Sequence, residues 1–168
     1  MISFLRAETA EMHERVDGVF GRYSLTDTDS YARLLRAHAL ALPAAERVLE
    51  SVPGLPAWRS RTDALSADLS ALGTPMPAPL PLAPAAGLAE ALGMLYVTEG
   101  SRLGGVMLSR QVRPDLPSAY LSAGHLPGEW RAMVAAIDTT IAALGPDATK
   151  DAVAGAIRTF QLYETAAH

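Results

Sequence analysis

The chain has 168 residues, of which 49% are hydrophobic and 19% charged, a composition typical of a globular protein rather than a disordered one. The net charge of -4 and the single lysine, Lys150, exclude a general nucleic-acid binder, which needs many cations for phosphate contacts. The lack of cysteine excludes disulfides, thiolate metal sites and cysteine nucleophiles.

The N-terminal residues predict no targeting segment, since Glu8 and Glu11 interrupt any apolar core that a signal peptide would need. No apolar run is long enough to span a membrane. We therefore expect a cytoplasmic protein that binds neither membrane nor nucleic acid.

Three helices are predicted in the first half of the chain. The first begins at a Ser3 cap and ends at about Gly18. The second covers about 31–51, with a choice of caps in 27–30, and Pro43 is expected to kink it rather than end it because the apolar pattern resumes on both sides. The third covers about 58–72.

A proline-rich connection separates these helices from three more. Residues 73–84 contain five prolines and predict an extended loop, too short to link separate domains. A fourth helix is expected from about 85 to 112, a fifth at 127–144 and a sixth at 147–165, with Gly145-Pro146 between the last two. The pattern predicts an all-α helical bundle formed by residues 1–168 as a single domain.

The fourth helix contains an unusual run, Glu99-Gly100-Ser101-Arg102-Leu103-Gly104-Gly105. Each interior glycine weakens a helix by about 1 kcal/mol relative to alanine, yet the helical apolar spacing continues across the run. Such a sequence predicts either a bend or the close approach of something flat or bulky to the backbone.

The four histidines differ in their surroundings. His13 has Asp17 at i+4, which can hold one ring nitrogen and leave the other for a metal or substrate; a partly buried, hydrogen-bonded histidine is the simpler alternative. For His38 we favour a histidine at the edge of the core, bonded across helices. Neither His125 nor His168 has neighbours that suggest chemistry.

Several common sites are not supported by the sequence. Metal-ligand spacings such as His-x-x-x-His are absent, and Glu99, the lone carboxylate of the apolar stretch 91–108, is expected to be exposed or to cap. Ser101 does not fit a nucleophile elbow, because its flanking glycines are unequally spaced and no strand precedes it. The glycine run interrupts a helix, whereas phosphate loops open one.

The remaining combination, one histidine on the first helix, a glycine-interrupted helix and arginines, suits a flat dianionic ligand such as haem. Residues 5–13 (LRAETAEMH) resemble the proximal helix of haem oxygenases, and 96–105 (YVTEGSRLGG) resemble their distal helix in the form of bacterial enzymes found with bacteriophytochromes. The final helix, with FQLYE at 160–164, is similar to the closing helix of the family. The resemblance implies an all-α fold that holds haem between the first helix and a glycine-kinked distal helix.

The resemblance also implies roles for single residues. His13 matches the proximal iron ligand, Asp17 an acidic partner of that histidine, and Arg6 a basic position that contacts a haem propionate. Arg131 and Arg158 are further propionate candidates, for which a solvated surface arginine is the alternative.

On the distal side, Gly100, Gly104 and Gly105 match glycines that lie over the haem and let the helix flex. Ser101 stands where animal-type enzymes have an aspartate that helps order distal water. Serine can donate and accept hydrogen bonds but supplies no negative charge.

The activity that the resemblance implies is the cleavage of haem, with O2 and reducing equivalents, to biliverdin, CO and ferrous iron. Haem would be both cofactor and substrate, and electrons would come from an external ferredoxin, flavodoxin or reductase, because nothing in the chain suggests a flavin or nicotinamide site. A bacteriophytochrome is a candidate recipient of biliverdin. The alternative is a haem carrier or sensor of the same fold without turnover. Another enzyme class of this helical fold acts on thiamin-like substrates, but its acidic and cysteine catalytic groups are not evident in this chain.

Overall fold

Helices account for the regular structure in the computed structural model, which describes residues 2–168, with side chains from Phe4 onward. No strand occurs in that part of the chain. The helices are α1 (Ile2–Phe20), α2 (Thr28–Glu50), α3 (Thr62–Ala71), α4 (Leu88–Ser109), α5 (Glu129–Leu144) and α6 (Asp147–Ala166). The predicted all-α architecture is confirmed.

Local signals explain several helix ends. The Asp27 carboxylate accepts a hydrogen bond from the Ser30 backbone N–H at 2.8 Å and caps α2. Pro43 lies inside α2, which continues past it as predicted. Gly145 separates α5 from α6 with a φ of 103°, in the region that favours glycine. For the predicted cap Ser3, the side chain lies outside the described residues.

The predicted boundaries of two helices, α3 and α4, are wrong. α3 begins at Thr62 rather than at residue 58, because Glu46 of α2 accepts hydrogen bonds from the Ser60 hydroxyl, the Arg61 backbone N–H and the Thr62 hydroxyl. This carboxylate supplies from a distant helix the acceptors that a local cap would provide. α4 is shorter at both ends than predicted, covering Leu88–Ser109.

The packing centres on α6, which contacts α1, α2, α4 and α5. Its contact with α4 is the most extensive between any two of these helices, whereas α1 and α4 have little or no direct contact. α1 and α4 therefore flank the same helix, α6, and we call the region between α1 and α4 the groove.

No helix in residues 2–168 is long and apolar enough to cross a membrane.

Candidate functional site

His13 lies on α1 at the border of this groove. Its side chain is 61% exposed, and its Nε2 is 3.3 Å from Asp17 Oδ2, the i+4 partner expected from the sequence. The ring also stacks on Phe160 of α6, with centroids 5.4 Å apart and planes inclined by 22°. The imidazole is therefore held on two sides while much of it stays accessible to a ligand.

A second part of the groove combines aromatic rings and arginines. Tyr96 of α4 stacks on Trp130 of α5 with ring centroids 6.0 Å apart, and burial raises the pKa of the Tyr96 phenol while the charge of Arg6 lowers it. Arg6 is thus close enough to Tyr96 to affect its ionisation. Arg131 is exposed and follows Trp130 in α5. Sequence reasoning singled out both arginines but neither aromatic residue.

The three glycines of the run have three different surroundings. Gly105 is buried, and a side chain there would meet the Leu121 carbonyl oxygen at 2.9 Å. Gly100 lies against Trp130, whose ring would be 3.3 Å from an added Cβ. Gly104 has open space on that side. At Gly105 the backbone of another segment therefore lies close to the helix backbone. Close approach to the backbone was one of the two alternatives predicted for the glycine run, the other being a bend.

Apolar side chains beside Gly104 are exposed as well. Leu103 is 48% exposed and Met107 66%. On a helix, positions three and four apart share a face, so Gly100, Gly104 and Met107 belong to one face of α4. The C-terminal half of α4 therefore has an exposed apolar surface.

Ser101 is linked to an arginine that sequence reasoning missed. Its hydroxyl donates to the Thr98 carbonyl at 2.6 Å and accepts from Arg61 Nη2 at 2.8 Å. Because the one hydroxyl proton is used within the helix, Ser101 offers a lone pair rather than a donor to any further partner. Arg61 is only 4% exposed and precedes α3, far from the glycine run in sequence, so no local signal could have found it.

Glu99 corrects the sequence interpretation. It is neither exposed nor a cap: it is 3% exposed and forms an ion pair with Arg102 of the same helix, at 2.8 Å. Arg102, itself 1% exposed, also donates to the carbonyls of Ala123 and Arg59. This pair ties α4 to the segments before α3 and α5, which explains why a carboxylate is tolerated in a buried helix.

His38 is a histidine at the edge of the core, as predicted. Its Nδ1 lies 2.6 Å from the Tyr120 hydroxyl, in the segment that follows α4. Burial, with a smaller effect from the charge of Arg61, lowers the pKa of His38 to about 3. The imidazole is therefore neutral at physiological pH.

His125 has more neighbours than the sequence suggested. Its ring stacks on Trp130, Nε2 lies 2.8 Å from the Glu99 carbonyl oxygen and Nδ1 lies 3.4 Å from Glu129. Ligand atoms of Glu99, His125 and Glu129 lie within 4.8 Å of one another. However, Arg102 pairs with Glu99 and Arg59 with Glu129, at 2.8 Å each, so both carboxylates already have cationic partners.

Arg158 binds other groups of the protein rather than facing His13 or the glycine run. Its guanidinium pairs with Glu90 of α4 at 2.5 Å and donates to the carbonyls of Ala83 and Pro84. This side chain fastens the end of the proline-rich loop to α4 and α6.

An all-helical bundle that combines an accessible histidine with a glycine-interrupted helix suits the binding of haem. No family model matches the sequence, but curated relatives do. The chain is 36% identical over 150 residues to a haem oxygenase of Xanthomonas campestris pv. campestris, covering 83% of this chain and 89% of the relative. It is 34% identical over 146 residues to the haem oxygenase PigA of Pseudomonas aeruginosa, covering 77% and 73%.

The fold agrees with these sequence relationships. A crystal structure of the NO- and CO-bound haem oxygenase of Neisseria meningitidis matches with a TM-score of 0.78 and 26% identity, covering 97% of this chain and 87% of that one. The chain belongs to the haem oxygenase family and is an enzyme of that type. The carrier or sensor alternative is not favoured.

Proposed function

We propose that this protein cleaves haem, with O2 and external electrons, to biliverdin, CO and ferrous iron. The observation that carries the proposal is the position of His13, an accessible imidazole held by Asp17 and Phe160 at the border of the groove. A carboxylate that holds one ring nitrogen in its N–H form leaves the lone pair on the other nitrogen for iron. Bound haem would supply the redox chemistry, and the protein would supply ligation and orientation.

The glycine run of α4 is the part of the chain that we propose for one face of the porphyrin. We propose that Gly100 and Gly104 lie over the haem, because their faces of α4 have only a flat indole ring and open space. Gly105 is expected to hold this part of α4 against the segment at Leu121 rather than to touch the ligand. Ser101, backed by the charge of Arg61, would accept a hydrogen bond from distal water.

The propionates would bind where arginines lie near the aromatic stack. Arg6 and Arg131 are exposed near Tyr96 and Trp130, and guanidinium groups pair well with carboxylates. Arg158 is the weaker candidate, because a propionate would have to compete with Glu90 for its guanidinium.

The whole described chain contributes to this arrangement. We propose that residues 1–168 form a single domain. The buried apolar side chains form two clusters, one that includes residues of α2 and α3 and one that includes residues of α4 and α5, and Leu82 and Tyr96 each pack against both. Electrons would come from a ferredoxin, flavodoxin or reductase, and a bacteriophytochrome would be a recipient of biliverdin. A cytoplasmic location remains our expectation.

Replacing His13 tests the iron ligand. The His13→Ala protein, loaded with haem, should lose the iron–histidine stretching band of the ferrous complex in resonance Raman spectra. The matched control is His168→Ala, which removes an exposed histidine outside the groove and should keep the band. An unchanged band in the His13 variant would show that another residue binds the iron.

Turnover separates the enzyme from a carrier. When haem-loaded protein receives air and a reductant, the Soret band should decay while a bilin absorption grows and CO is released. A haem spectrum that persists under these conditions would favour the carrier or sensor alternative.

A further inference from the structure

Two side chains of α6, Phe160 and Glu164, stand one helical turn apart and both contact α1. The Phe160 ring stacks on the His13 ring with centroids 5.4 Å apart. The Glu164 carboxylate accepts a hydrogen bond from Arg15 Nη2 through Oε1, at 2.6 Å. The proposed haem site uses the first of these contacts but not the second.

α1 is held against the bundle by a narrow buried stripe. It packs mainly on α6, with a smaller contact on α5. From Phe4 onward, the buried side chains of α1 are Leu5, Thr9 and Val16. At about 100° per residue, these three positions lie within an arc of about 40° around the helix axis. A helix packed along so narrow a stripe can roll about its own axis unless contacts on both sides of the stripe prevent the roll.

His13 and Arg15 lie on opposite sides of this stripe. By the same helical geometry, His13 is about 60° from the centre of the stripe in one direction and Arg15 about 100° in the other. The stack on Phe160 and the ion pair with Glu164 therefore bracket the stripe. Together the two contacts oppose a roll of α1 in either direction.

The Glu164 carboxylate depends on Arg15 for its charge partner. The Glu164 side chain is 23% exposed, and its second carboxylate oxygen, Oε2, is buried and accepts no hydrogen bond in residues 2–168. Within the same residues, Arg15 is the one cation at ion-pair distance from this carboxylate. Arg15 Nη1 also lies 3.5 Å from Met12 Sδ. A carboxylate largely removed from water loses more with its partner than a fully exposed one does.

We propose that Arg15 and Glu164 are positioning residues, which fix the rotation of α1 about its axis and thereby the direction in which the His13 imidazole points. This inference rests on the proposed role of His13 as the iron ligand. Side-chain tips lie about 5–6 Å from a helix axis, so a roll of about 10° moves an imidazole by about 1 Å. A displacement of that size is large for a group that must meet its partner at a fixed distance and angle.

The protein without haem provides a test that does not depend on the proposed function. In NMR spectra the stacked Phe160 ring shifts the resonances of the His13 ring protons, because an aromatic ring changes the local magnetic field. Arg15→Ala and Glu164→Ala should move these resonances toward their positions in Phe160→Leu, where the ring is absent. The matched control is Glu11→Gln, which removes a charge at an exposed position of α1 and should leave them in place.

Two results of this experiment would overturn the proposal. One is that neither alanine variant moves the His13 resonances, with spectra recorded at alkaline pH so that imidazole protonation does not contribute. The other is that the shifts add in the double variant Arg15→Ala/Glu164→Ala. Residues that act as one pair should give a double variant that moves the resonances no further than either single variant does.

The haem-loaded protein tests the consequence for the iron. In Arg15→Ala and Glu164→Ala the iron–histidine stretching band of the ferrous complex should broaden and shift to lower frequency, because His13 is held less firmly toward the iron. Glu11→Gln should keep the band of the parent, and so would both alanine variants if the positioning role were wrong. If the parent itself showed no such band, the proposed iron ligand would fail, while the NMR spectra would still decide whether the ion pair orients the ring.

Discussion

Two parts of α4 contain glycine for different reasons. Where α4 crosses α6, a side chain at Gly93 would collide with the Ala152 carbonyl oxygen, and one at Gly155 with the Glu90 carbonyl oxygen. Both glycines are buried, and each accommodates the backbone of the opposite helix. In the run at 100–105, an added Cβ would contact the backbone of another segment only at Gly105, and at Gly104 it would contact nothing.

The difference separates glycines that packing requires from glycines that it does not explain. At the crossing, close backbone contact offsets the cost of glycine in a helix. At Gly104 no contact within the described residues offsets the same cost of about 1 kcal/mol. A glycine that weakens the helix and borders open space is consistent with the proposed haem site.

The largest effect is expected at the crossing. Gly93→Ala or Gly155→Ala places a methyl group inside a neighbouring backbone, which cannot move as a flexible side chain can. We expect a loss of more than about 3 kcal/mol of stability, at the upper end of overpacking effects, and little soluble folded protein. Circular dichroism and urea unfolding measure this; a near-native unfolding midpoint would mean that the helices can separate at little cost.

A smaller loss is expected at Gly105. The added methyl group of Gly105→Ala would lie 2.9 Å from the Leu121 carbonyl oxygen, so the segment after α4 must shift slightly. We expect destabilisation of about 1–3 kcal/mol, measured by urea unfolding of the protein without haem. If this variant were as stable as the parent, packing would not require glycine at position 105, and Gly105 would not differ from Gly104 in this respect.

The smallest effect, and the only one of opposite sign, is expected at Gly104. Gly104→Ala adds a methyl group in open space and should stabilise the haem-free protein by about 1 kcal/mol through helix propensity. The same methyl group should weaken haem binding, measured by titration of the Soret band. Unchanged haem affinity would argue that Gly104 does not lie over the ligand.

Much of the helical framework could be predicted from short-range patterns. The spacing of apolar residues, the Asp27 cap and Gly145 locate α1, α2, α5 and α6 to within a few residues, because each signal acts over one or two turns. The pairing of His13 with Asp17 follows in the same way from i+4 geometry.

Interactions between distant segments escaped this reasoning. Arg61 and Ser101 are 40 positions apart, and the third helix begins later than predicted because Glu46 binds residues 14 to 16 positions away. Glu99 looked like a surface carboxylate, although its partner Arg102 is only one turn further on. Local spacing allowed that pair, but only the segments packed around it decide whether it is buried.

Gly93 gives the same lesson within α4. Nothing in its sequence neighbourhood distinguishes it from an ordinary weak point in a helix, and only the position of α6 shows why no side chain fits there.

The sequence by itself determined the all-α class, most helix ends, the carboxylate beside His13 and the resemblance to haem oxygenases, since each depends on residues a few positions apart. The tertiary structure alone decided which glycine faces backbone, indole or open space, which arginine reaches Ser101 and which carboxylates are buried. The physical reason is that packing brings together groups from separate helices, and their distances in space are not encoded in any one stretch of the chain.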